Sequence, residues 1–267
     1  MSKINTLGFR GEALPSIASV SRLTIVSRQR DSESAWSLSA EAGVLSDITP
    51  AARSGGTTVS INDLFYATPA RLKFLKTART ELGHISDILS RLAMARPNIS
   101  FSLMDSEREV FRLPLESDLV DKRLIRISSI IGRSFSENSI KLKAEREGVK
   151  LIGYISIPTF NRATSVQQYF FVNGRSVRDK LVTGAIRGAY QNFLSGGRHP
   201  LLALFVEIPP EEVDVNVHPG KLEVRFKDEW NIYMVLKKAV GESLKDILKV
   251  MPLYNKSYSD TLYKQTN

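Results

Sequence analysis

The sequence of 267 residues contains no cysteine. This absence excludes a disulfide framework, a thiolate nucleophile and a cysteine-based zinc site. The chain also lacks any apolar run of the length that spans a membrane, and its start lacks the cationic and apolar regions of a signal peptide. We therefore expect a soluble, cytoplasmic protein that does not contact membranes.

Histidine is scarce as well, with three residues in the whole chain. His84, His199 and His218 share no spacing typical of a metal site. We therefore predict no metal-binding site and name no catalytic residue.

Basic residues outnumber acidic ones, 37 to 28, which gives a formal net charge of +9. Such a field concentrates anions near the surface and favours a polyanionic partner such as nucleic acid, a nucleotide or an acidic surface. An ordinary solubilising surface explains the charge equally well. The charge alone does not choose between these two readings.

The first part of the chain alternates apolar and polar residues over 22–27, 35–40 and 58–62, which predicts half-buried antiparallel strands. Thr68 and Pro69 are typical of a helix start, and a longer helix is predicted from near Thr80 to just before Pro97. The apolar pattern lapses around 114–118. These features indicate an α+β layer that ends there.

The second part predicts strands over 139–143, 149–157 and 167–172, a helix over 176–193 and a doubly buried strand over 201–208. The helix would bury Val177, Leu181, Ala185 and Gly188. A strand, a helix and a buried strand form a crossover that we expect to be right-handed. We predict domains over 1–117 and 118–250, followed by a tail or linker over 251–267.

The chain opens with two glycines three residues apart, Gly8 and Gly11, directly before a predicted helix. Backbone N–H groups in such a turn can converge on a phosphate that the helix dipole also favours. A glycine-rich turn that merely caps an ordinary helix has the same pattern. The pattern alone therefore leaves both readings open.

Five sequence strings, one of which contains Gly8 and Gly11, together favour the phosphate-binding interpretation of this turn. They occur in one order along the chain. The strings occupy residues 6–17, 56–59, 63–71, 172–175 and 213–226. In this order and spacing they resemble the motifs of MutL-type DNA mismatch repair ATPases.

The resemblance implies an α+β fold in two parts. The first is a partial Bergerat (GHKL) ATPase α/β sandwich of the kind shared with gyrase, Hsp90 and histidine kinases. The second is a mixed-sheet transducer domain that resembles ribosomal S5 domain 2 and contains the βαβ crossover.

The resemblance also implies a split ATP site. The phosphates would be held by the backbone of the opening string, a threonine on the last strand of the first sheet would support the pocket, and a lysine from the second domain would reach the γ-phosphate. By carry-over these residues are Gly8, Phe9, Arg10, Gly11, Glu12, Thr57 or Thr58, and Lys221.

The family's first two motifs are not found before Thr6. Those motifs carry the general-base glutamate, the asparagine that binds Mg²⁺ and the segment that reads adenine. We therefore expect an N-terminally truncated member that has lost its magnesium ligand, hydrolyses ATP poorly and is uncertain as an enzyme. Glu12 is a poor substitute base, because a carboxylate at a helix start more simply complements the dipole.

A stripe of basic residues near the predicted second-domain helix predicts contact with DNA phosphates without base reading. The family has a basic residue in its DNA-binding groove at the position of Lys180. The candidate residues are Arg175, Arg178, Lys180 and Arg187. A solvated helix face is the alternative.

The function implied is ATP-dependent coordination of mismatch repair. It would involve nonspecific DNA binding, a mismatch-sensor protein, a nuclease or helicase, and a homodimer in the full-length family. The alternative function is a noncatalytic DNA-binding remnant of the transducer domain.

Overall fold

The computed structural model describes residues 11–115, 121–214 and 223–250. Its contacts divide the chain into two compact units, Met1–Gly83 and His84–Asn267. This division falls earlier than the predicted boundary at residue 117. It does so because Arg91 and Met94, late in a long helix, are buried among residues of the second unit. The functional domain assignments stay predictions.

The first unit is built on an antiparallel sheet. Its elements, with the helix that continues into the second unit, are α1 (Ala13–Ala18), β1 (Arg22–Arg28), β2 (Ala35–Glu41), β3 (Val44–Leu45), β4 (Thr49–Ala51), β5 (Gly56–Asn62), α2 (Pro69–Leu72) and α3 (Ala78–Ala95). Strand β1 pairs with β2 on one side and β5 on the other, while β3 and β4 both pair with β2. The three predicted strands of this region are confirmed.

One face of this sheet is apolar, as the alternation predicts. Leu23 lies beside Ala40 on β2 and Ile61 on β5, so these three side chains share a face. Helix α1 packs Ala18 against Leu23 and Ala40. Farther along the same face, Trp36 remains 50% exposed. Among the described residues, α1 therefore covers only one end of the face.

The second unit contains a five-stranded mixed sheet. Its elements are β6 (Phe101–Asp105), β7 (Arg108–Leu113), α4 (Lys122–Ile131), α5 (Ser134–Glu137), β8 (Ser139–Arg146), β9 (Val149–Ser156), β10 (Asn161–Arg162), β11 (Gln168–Val172), β12 (Arg175–Val177), α6 (Lys180–Tyr190), β13 (His199–Pro200), β14 (Leu202–Glu207), β15 (Val213–Asp214), β16 (Arg225–Phe226) and α7 (Glu229–Val250). The strand order is β12-β11-β14-β9-β8, and only β11 and β14 run parallel within it.

The central strand β14 is buried on both faces, as predicted for 201–208. Leu202, Leu204 and Val206 join a core with α6 and α7. Ala203 and Phe205 join a second core with α4, α5 and Met94 of α3. Because alternate side chains point to opposite faces, one strand anchors both helical layers.

The connection from β11 to β14 passes through α6, which confirms the predicted strand–helix–strand crossover. The predicted helix over 176–193 is too long, because residues 175–177 form strand β12 instead. Asn173 and Gly174 have φ of 49° and 75°, and Val172 pairs with Arg175 across them. Two consecutive left-handed residues make the tight turn that joins twisted antiparallel strands.

The predicted buried face of this helix is partly right, because Ala185 is buried and Leu181 packs against the core, whereas Gly188 is only half-buried. Val177 is buried, but on β12, and α6 begins only at Lys180, where the Asp179 carboxylate accepts the N–H of Val182 at 3.0 Å. The buried residues of α6 are Val182, Ala185, Ile186, Ala189 and Tyr190.

Within the described ranges, no helix combines the length and the apolar character needed to cross a membrane.

Candidate functional site

The glycine string lies partly outside the described residues, which include Gly11 and Glu12 but not Gly8, Phe9 or Arg10. Gly11 has φ of +65°, a conformation that strains residues with a side chain. A Cβ built there would meet no atom of the described residues within 4 Å. The backbone conformation, and not crowding by those residues, therefore favours glycine.

Glu12 is exposed and occupies the N-cap position of α1. Its side chain makes no capping hydrogen bond. The first N–H groups of a helix have no intrahelical partner, and this side chain does not satisfy them. The amides at the start of α1 can therefore serve an anion better than Glu12 can serve as a base.

The two candidate threonines lie on opposite faces of β5. Thr57 pairs with Ser27, which shares the face of Leu23, and the hydroxyls of Thr57 and Ser27 lie 2.8 Å apart. Thr58 points to the other face, where its hydroxyl accepts a hydrogen bond from Arg53. Of the two threonines, only Thr57 therefore lies on the face against which α1 packs, at the end of that face where Trp36 is exposed.

The turn after β5 is held in an unusual backbone conformation. Asp63 and Phe65 both have left-handed φ, 50° and 69°, and the N–H of Phe65 donates to the carbonyl of Val20 at 2.7 Å. A bulky residue in this region is rare and needs support from its surroundings. The motif 63–71 therefore begins with a strained turn that is tied to the start of the sheet.

Arg22 supplies much of this support. Its guanidinium donates to Glu41 at 2.8 Å and to Asp63 at 2.5 Å, and it lies 4.4 Å from the centroid of the Tyr66 ring. These side-chain hydrogen bonds, to Glu41 first and then to Asp63, raise the pKa of Arg22 above its ordinary value. Sequence reasoning missed Arg22, because its partners lie on separate parts of the chain and no local spacing reveals them.

Thr68 precedes α2, as predicted, but its side chain makes no capping hydrogen bond. Its Oγ1 is buried and has no hydrogen-bond partner among the described residues. The helix that follows has only four residues, with Pro69 at its start.

Lys221 lies outside the described residues, as do its neighbours over 215–222. The chain on either side forms a pair of short strands, in which Val213 pairs with Phe226 and Asp214 with Arg225. The role of Lys221 toward a γ-phosphate stays a prediction.

The predicted DNA-binding residues do not all lie on one helix. Arg175 is on β12 and Arg178 is in the loop before α6, whereas Lys180 and Arg187 are exposed on α6 itself. Seven residues are almost two helical turns, so Lys180 and Arg187 share a face at about 10 Å separation along the axis. This pair is the part of the predicted stripe that could track a phosphate backbone.

The positive charge of Arg178 is neutralised by an acidic residue. Its guanidinium lies 2.8 Å from Asp87 of α3, and Asp87 also pairs with the buried Arg91 at 3.0 Å. Arg91 in turn lies 4.8 Å from the centroid of the Tyr169 ring and donates to the Ser176 hydroxyl. The cluster ties α3 to the sheet, which makes Arg178 a weaker candidate than the exposed Lys180 and Arg187.

The motif 172–175 has a structural role that sequence reasoning missed. The Asn173 side chain donates to the carbonyl of Ile208 at 2.9 Å and accepts the N–H of Ile208 at 3.0 Å. A Cβ on Gly174 would lie 2.9 Å from the Arg96 guanidinium. The Asn-Gly pair was the available signal, since it is typical of a two-residue hairpin.

Asp121 forms a second polar cluster, at the start of α4. Its carboxylate accepts hydrogen bonds from the N–H of Leu124, from Lys141 at 2.6 Å and from the Tyr154 hydroxyl. Burial alone would raise the pKa of Asp121, but the hydrogen bonds from Lys141 and Tyr154 lower it overall. Burial, and then the bond to Asp121, raises the pKa of Tyr154.

A cleft beside α7 is lined by Glu147, Glu212 and Asp228 together with apolar residues. Three carboxylates would repel phosphate, so this cleft does not suit a nucleotide. Among the described residues, no three potential metal ligands of the His, Cys, Asp or Glu type converge.

Comparison with known proteins relates the chain to DNA mismatch repair. The family described as "DNA mismatch repair protein, C-terminal domain" matches residues 127–245. The DNA mismatch repair protein MutL of Paramagnetospirillum magneticum is 54% identical over 243 residues, which are 91% of this chain and 40% of that protein. MutL of Rhodospirillum rubrum is 55% identical over 84% of this chain and 36% of its own length. The chain thus spans about 40% of the length of such relatives.

Solved structures share the fold of this chain. A structure described as the N-terminal domain of a DNA repair protein has a TM-score of 0.75 at 24% identity and covers 92% of this chain and 78% of its own. The Aquifex aeolicus MutL ATPase domain complexed with ADP has a TM-score of 0.60 at 27% identity, covering 74% and 72%. The B subunit of Myxococcus xanthus DNA gyrase, at 15% identity and a TM-score of 0.54, shares the fold. The predicted GHKL-type α+β fold is confirmed.

Proposed function

Because this chain belongs to the MutL family of DNA mismatch repair proteins, we propose that it forms part of an ATP-dependent coordinator of repair. That coordinator binds DNA nonspecifically and couples mismatch recognition to strand removal. Its partners are a mismatch-sensor protein and a nuclease or helicase, and the full-length protein is a homodimer. It acts in the cytoplasm, at the bacterial nucleoid.

One observation carries the nucleotide part of this proposal. Gly11 takes a left-handed conformation directly before α1, with no described atom within 4 Å of a Cβ built there, and the Glu12 side chain does not cap the helix. Helix α1 packs on the face of the sheet that also carries the Thr57 hydroxyl. A helix start with free amides is suited to phosphate, and a hydroxyl on the same face can donate a further hydrogen bond.

The described residues fit the phosphates of ATP better than they fit its metal ion. Gly11 and the N–H groups of Ala13 and Leu14 are proposed to supply donors for an anion, since Pro15 has no N–H and the N–H of Ser16 donates to the carbonyl of Glu12. The backbone of Gly8, Phe9, Arg10 and Glu12 is proposed to continue this cradle. Lys221 is proposed to neutralise the γ-phosphate as a compact point charge. ATP would supply the terminal phosphoryl group. The described residues do not assemble a carboxylate cluster for Mg²⁺.

Thr57 and Thr58 form a matched pair for testing the nucleotide site. Titration of the full chain with a fluorescent ATP analogue should show that Thr57→Val and Lys221→Ala each weaken binding by about tenfold, roughly one hydrogen bond or ion contact. Thr58→Val should bind like the unaltered chain, because its hydroxyl lies on the opposite face. Equal binding by all three variants would contradict the proposed site.

DNA binding is proposed for Lys180 and Arg187, with Arg175 at the edge of the sheet and Arg178 as a minor contributor. Fluorescence anisotropy with a labelled duplex should show weaker binding for Lys180→Glu and Arg187→Glu. Each lost phosphate contact should also reduce the slope of log K against log salt by about one. Lys143→Glu, an equal charge change at an exposed position on β8, is the control.

The two titrations together separate the candidate functions. Binding of both ATP and DNA supports the coordinator. DNA binding without nucleotide binding supports a noncatalytic DNA-binding remnant, and loss of the salt dependence would argue against phosphate contacts altogether.

A further inference from the structure

Helix α7 presents an exposed aromatic pair near its start. Trp230 is 70% exposed, although tryptophan is among the residues with the highest average burial. Its ring stacks on that of Tyr233, with centroids 5.7 Å apart and planes inclined by 13°. The Lys237 ammonium lies 5.6 Å from the Tyr233 centroid. The spacing of 230, 233 and 237 places all three side chains on one helix face.

This face adjoins the basic face of α6. A Cβ built on Gly188 would lie 3.1 Å from the Tyr233 hydroxyl oxygen and 3.5 Å from Cε of Lys237. The absence of a side chain at Gly188 therefore lets Tyr233 lie directly against α6. Arg187, the neighbour of Gly188, is exposed. We call the set Arg187, Trp230, Tyr233 and Lys237 the α6–α7 stacking surface.

We propose that Trp230 is a stacking site for an unpaired base of single-stranded DNA, with Arg187 and Lys237 holding the adjacent phosphates. This inference rests on the proposed DNA binding and extends it to a specific form of the ligand. Every base has a π face, and stacking on an aromatic side chain is sequence-tolerant. In a duplex those faces are already occupied by neighbouring base pairs, so the surface selects unpaired DNA.

The charges around Trp230 determine the side on which the backbone of a bound strand lies. Asp228 and Glu229 precede it, and the Asp228 carboxylate accepts the N–H of Asn231 at 2.8 Å as a helix cap. Phosphates avoid this side. The backbone of a bound strand therefore runs on the side of Arg187 and Lys237, while the base lies on the open face of Trp230.

The surroundings of Trp230 favour DNA over an apolar protein partner. Its exposed sequence neighbours are the charged residues Lys227, Asp228 and Glu229, and Asn231 follows. Protein docking sites usually expose a contiguous apolar patch. A single stacked aromatic pair among charges is instead typical of surfaces that bind single strands.

The experiment uses the full 267-residue chain and exploits its two tryptophans. In the variant Trp36→Phe, Trp230 is the only tryptophan, and its fluorescence reports directly on stacking. The probes are a 16-nucleotide oligothymidine, an abasic oligomer of equal length and a closed hairpin duplex. We expect quenching by the oligothymidine and none by the abasic oligomer.

Affinities come from the anisotropy of the same labelled probes. Trp230→Leu should weaken binding of the oligothymidine by about tenfold and leave the abasic oligomer and the salt slope unchanged, because phosphate contacts are retained. Trp230→Phe should restore most of the affinity. Trp36→Leu, an equal substitution in the first unit, is the control, and an unchanged melting temperature verifies folding of each variant.

Two results would overturn the proposal, and they differ. In the first, the chain binds the oligothymidine, but Trp230→Leu either leaves that affinity unchanged or weakens binding of the abasic oligomer by the same factor. The stacking site is then wrong while DNA binding stands, and the exposed Trp230 would be assigned to a protein partner instead. If no variant binds any of the probes at low salt, the proposed DNA binding itself fails and the stacking site fails with it.

Discussion

The sheets of the two units are built from similarly alternating strands, yet they are buried to different degrees. In the second unit, β14 contributes Leu204 to one core and Phe205 to another, and helices cover both faces. In the first unit, α1 covers the end of the sheet at Leu23, while Trp36 on the same face is half exposed. Alternation sets which side chains could be buried, and the packing of helices decides which of them are.

The difference has an energetic consequence. Burial stabilises by about 25 cal/mol per Å² of apolar surface, so the first unit gains less from its sheet than the second unit does. We therefore expect the second unit to unfold later, and the first to respond weakly to changes on the part of its apolar face that α1 leaves uncovered. Trp36 and Trp230 report on the two units separately, because each unit contains one of them.

The largest effect is expected from Gly153→Ala at the centre of the second sheet. The added Cβ would lie 2.3 Å from the carbonyl oxygen of Ala203 and 2.9 Å from the Cα of Leu204, and backbone cannot move aside. A loss of about 3 kcal/mol or more of unfolding free energy should follow. Urea unfolding with Trp230 as the reporter measures it.

The control for this change is Gly184→Ala on α6, where a Cβ meets no atom within 4 Å. Alanine is favoured over glycine inside a helix by roughly 0.5–1 kcal/mol, so this variant should be as stable as the original or more so. A small loss at Gly153 would mean that the second sheet is less tightly packed than described.

Arg126→Met should have the next largest effect. Arg126 is fully buried, and its guanidinium donates to the carbonyls of Ala93, Ile99 and Pro114, which belong to different segments. Leaving buried carbonyls without donors costs about 1–3 kcal/mol, and we expect a loss near the upper end. Thermal unfolding checks this, with the exposed Lys143→Met as the matched control. Equal losses in the two variants would disprove the role of Arg126.

Asp121→Asn should give a smaller, pH-dependent loss. The folded-state pKa of Asp121 is lowered, so its ionised form contributes stability above its unfolded-state pKa of 3.8, and this contribution disappears as the pH falls through the lower folded value. Unfolding free energies between pH 2 and pH 7 measure the effect, with about 1 kcal/mol expected at neutral pH from the weakened helix cap and ion pair. The unfolding free energy of the variant should therefore fall less steeply at acidic pH than that of the unaltered chain. An identical pH dependence would contradict the role given to the Asp121 carboxylate.

Val59→Thr on the apolar face of the first sheet should have the smallest effect. Val59 is 44% exposed, so exchanging a methyl for a hydroxyl removes little buried surface. We expect a change within about 0.5 kcal/mol, followed through Trp36. Leu23→Ala, at the end that α1 covers, should cost about 2–3 kcal/mol. Similar losses at both positions would erase the contrast between the covered and uncovered ends.

Much of the fold was predictable, because strand and helix periods are local. The strands over 22–27, 35–40 and 58–62 and the doubly buried strand over 201–208 were all correctly predicted. The helix over 176–193 was not, since its first residues follow an apolar pattern that suits either element. The turn at Asn173 and Gly174 decides between them, and it reads as a hairpin only when the glycine conformation is considered.

The candidate site was predictable in residue type more than in geometry. The ordered strings, from the one that contains Gly11 to the one over 213–226, identified the family correctly, since motif order along a chain needs no coordinates. Which of Thr57 and Thr58 lies on the same face as α1 could be decided only from the pairing register of β5 with β1. The ion pair between Arg178 and Asp87 could not be predicted from the sequence, because the two residues are 91 positions apart in the chain.

The amino-acid order by itself determined the elements and the family, because hydrophobic period, cap residues and motif spacing are properties of neighbours along the chain. Tertiary structure alone decided which charged side chains form ion pairs and which threonine shares a face with α1. It also decided that Trp230 is exposed to solvent beside the basic face of α6. These outcomes depend on side chains that meet only after distant segments have packed, and no local pattern encodes such meetings.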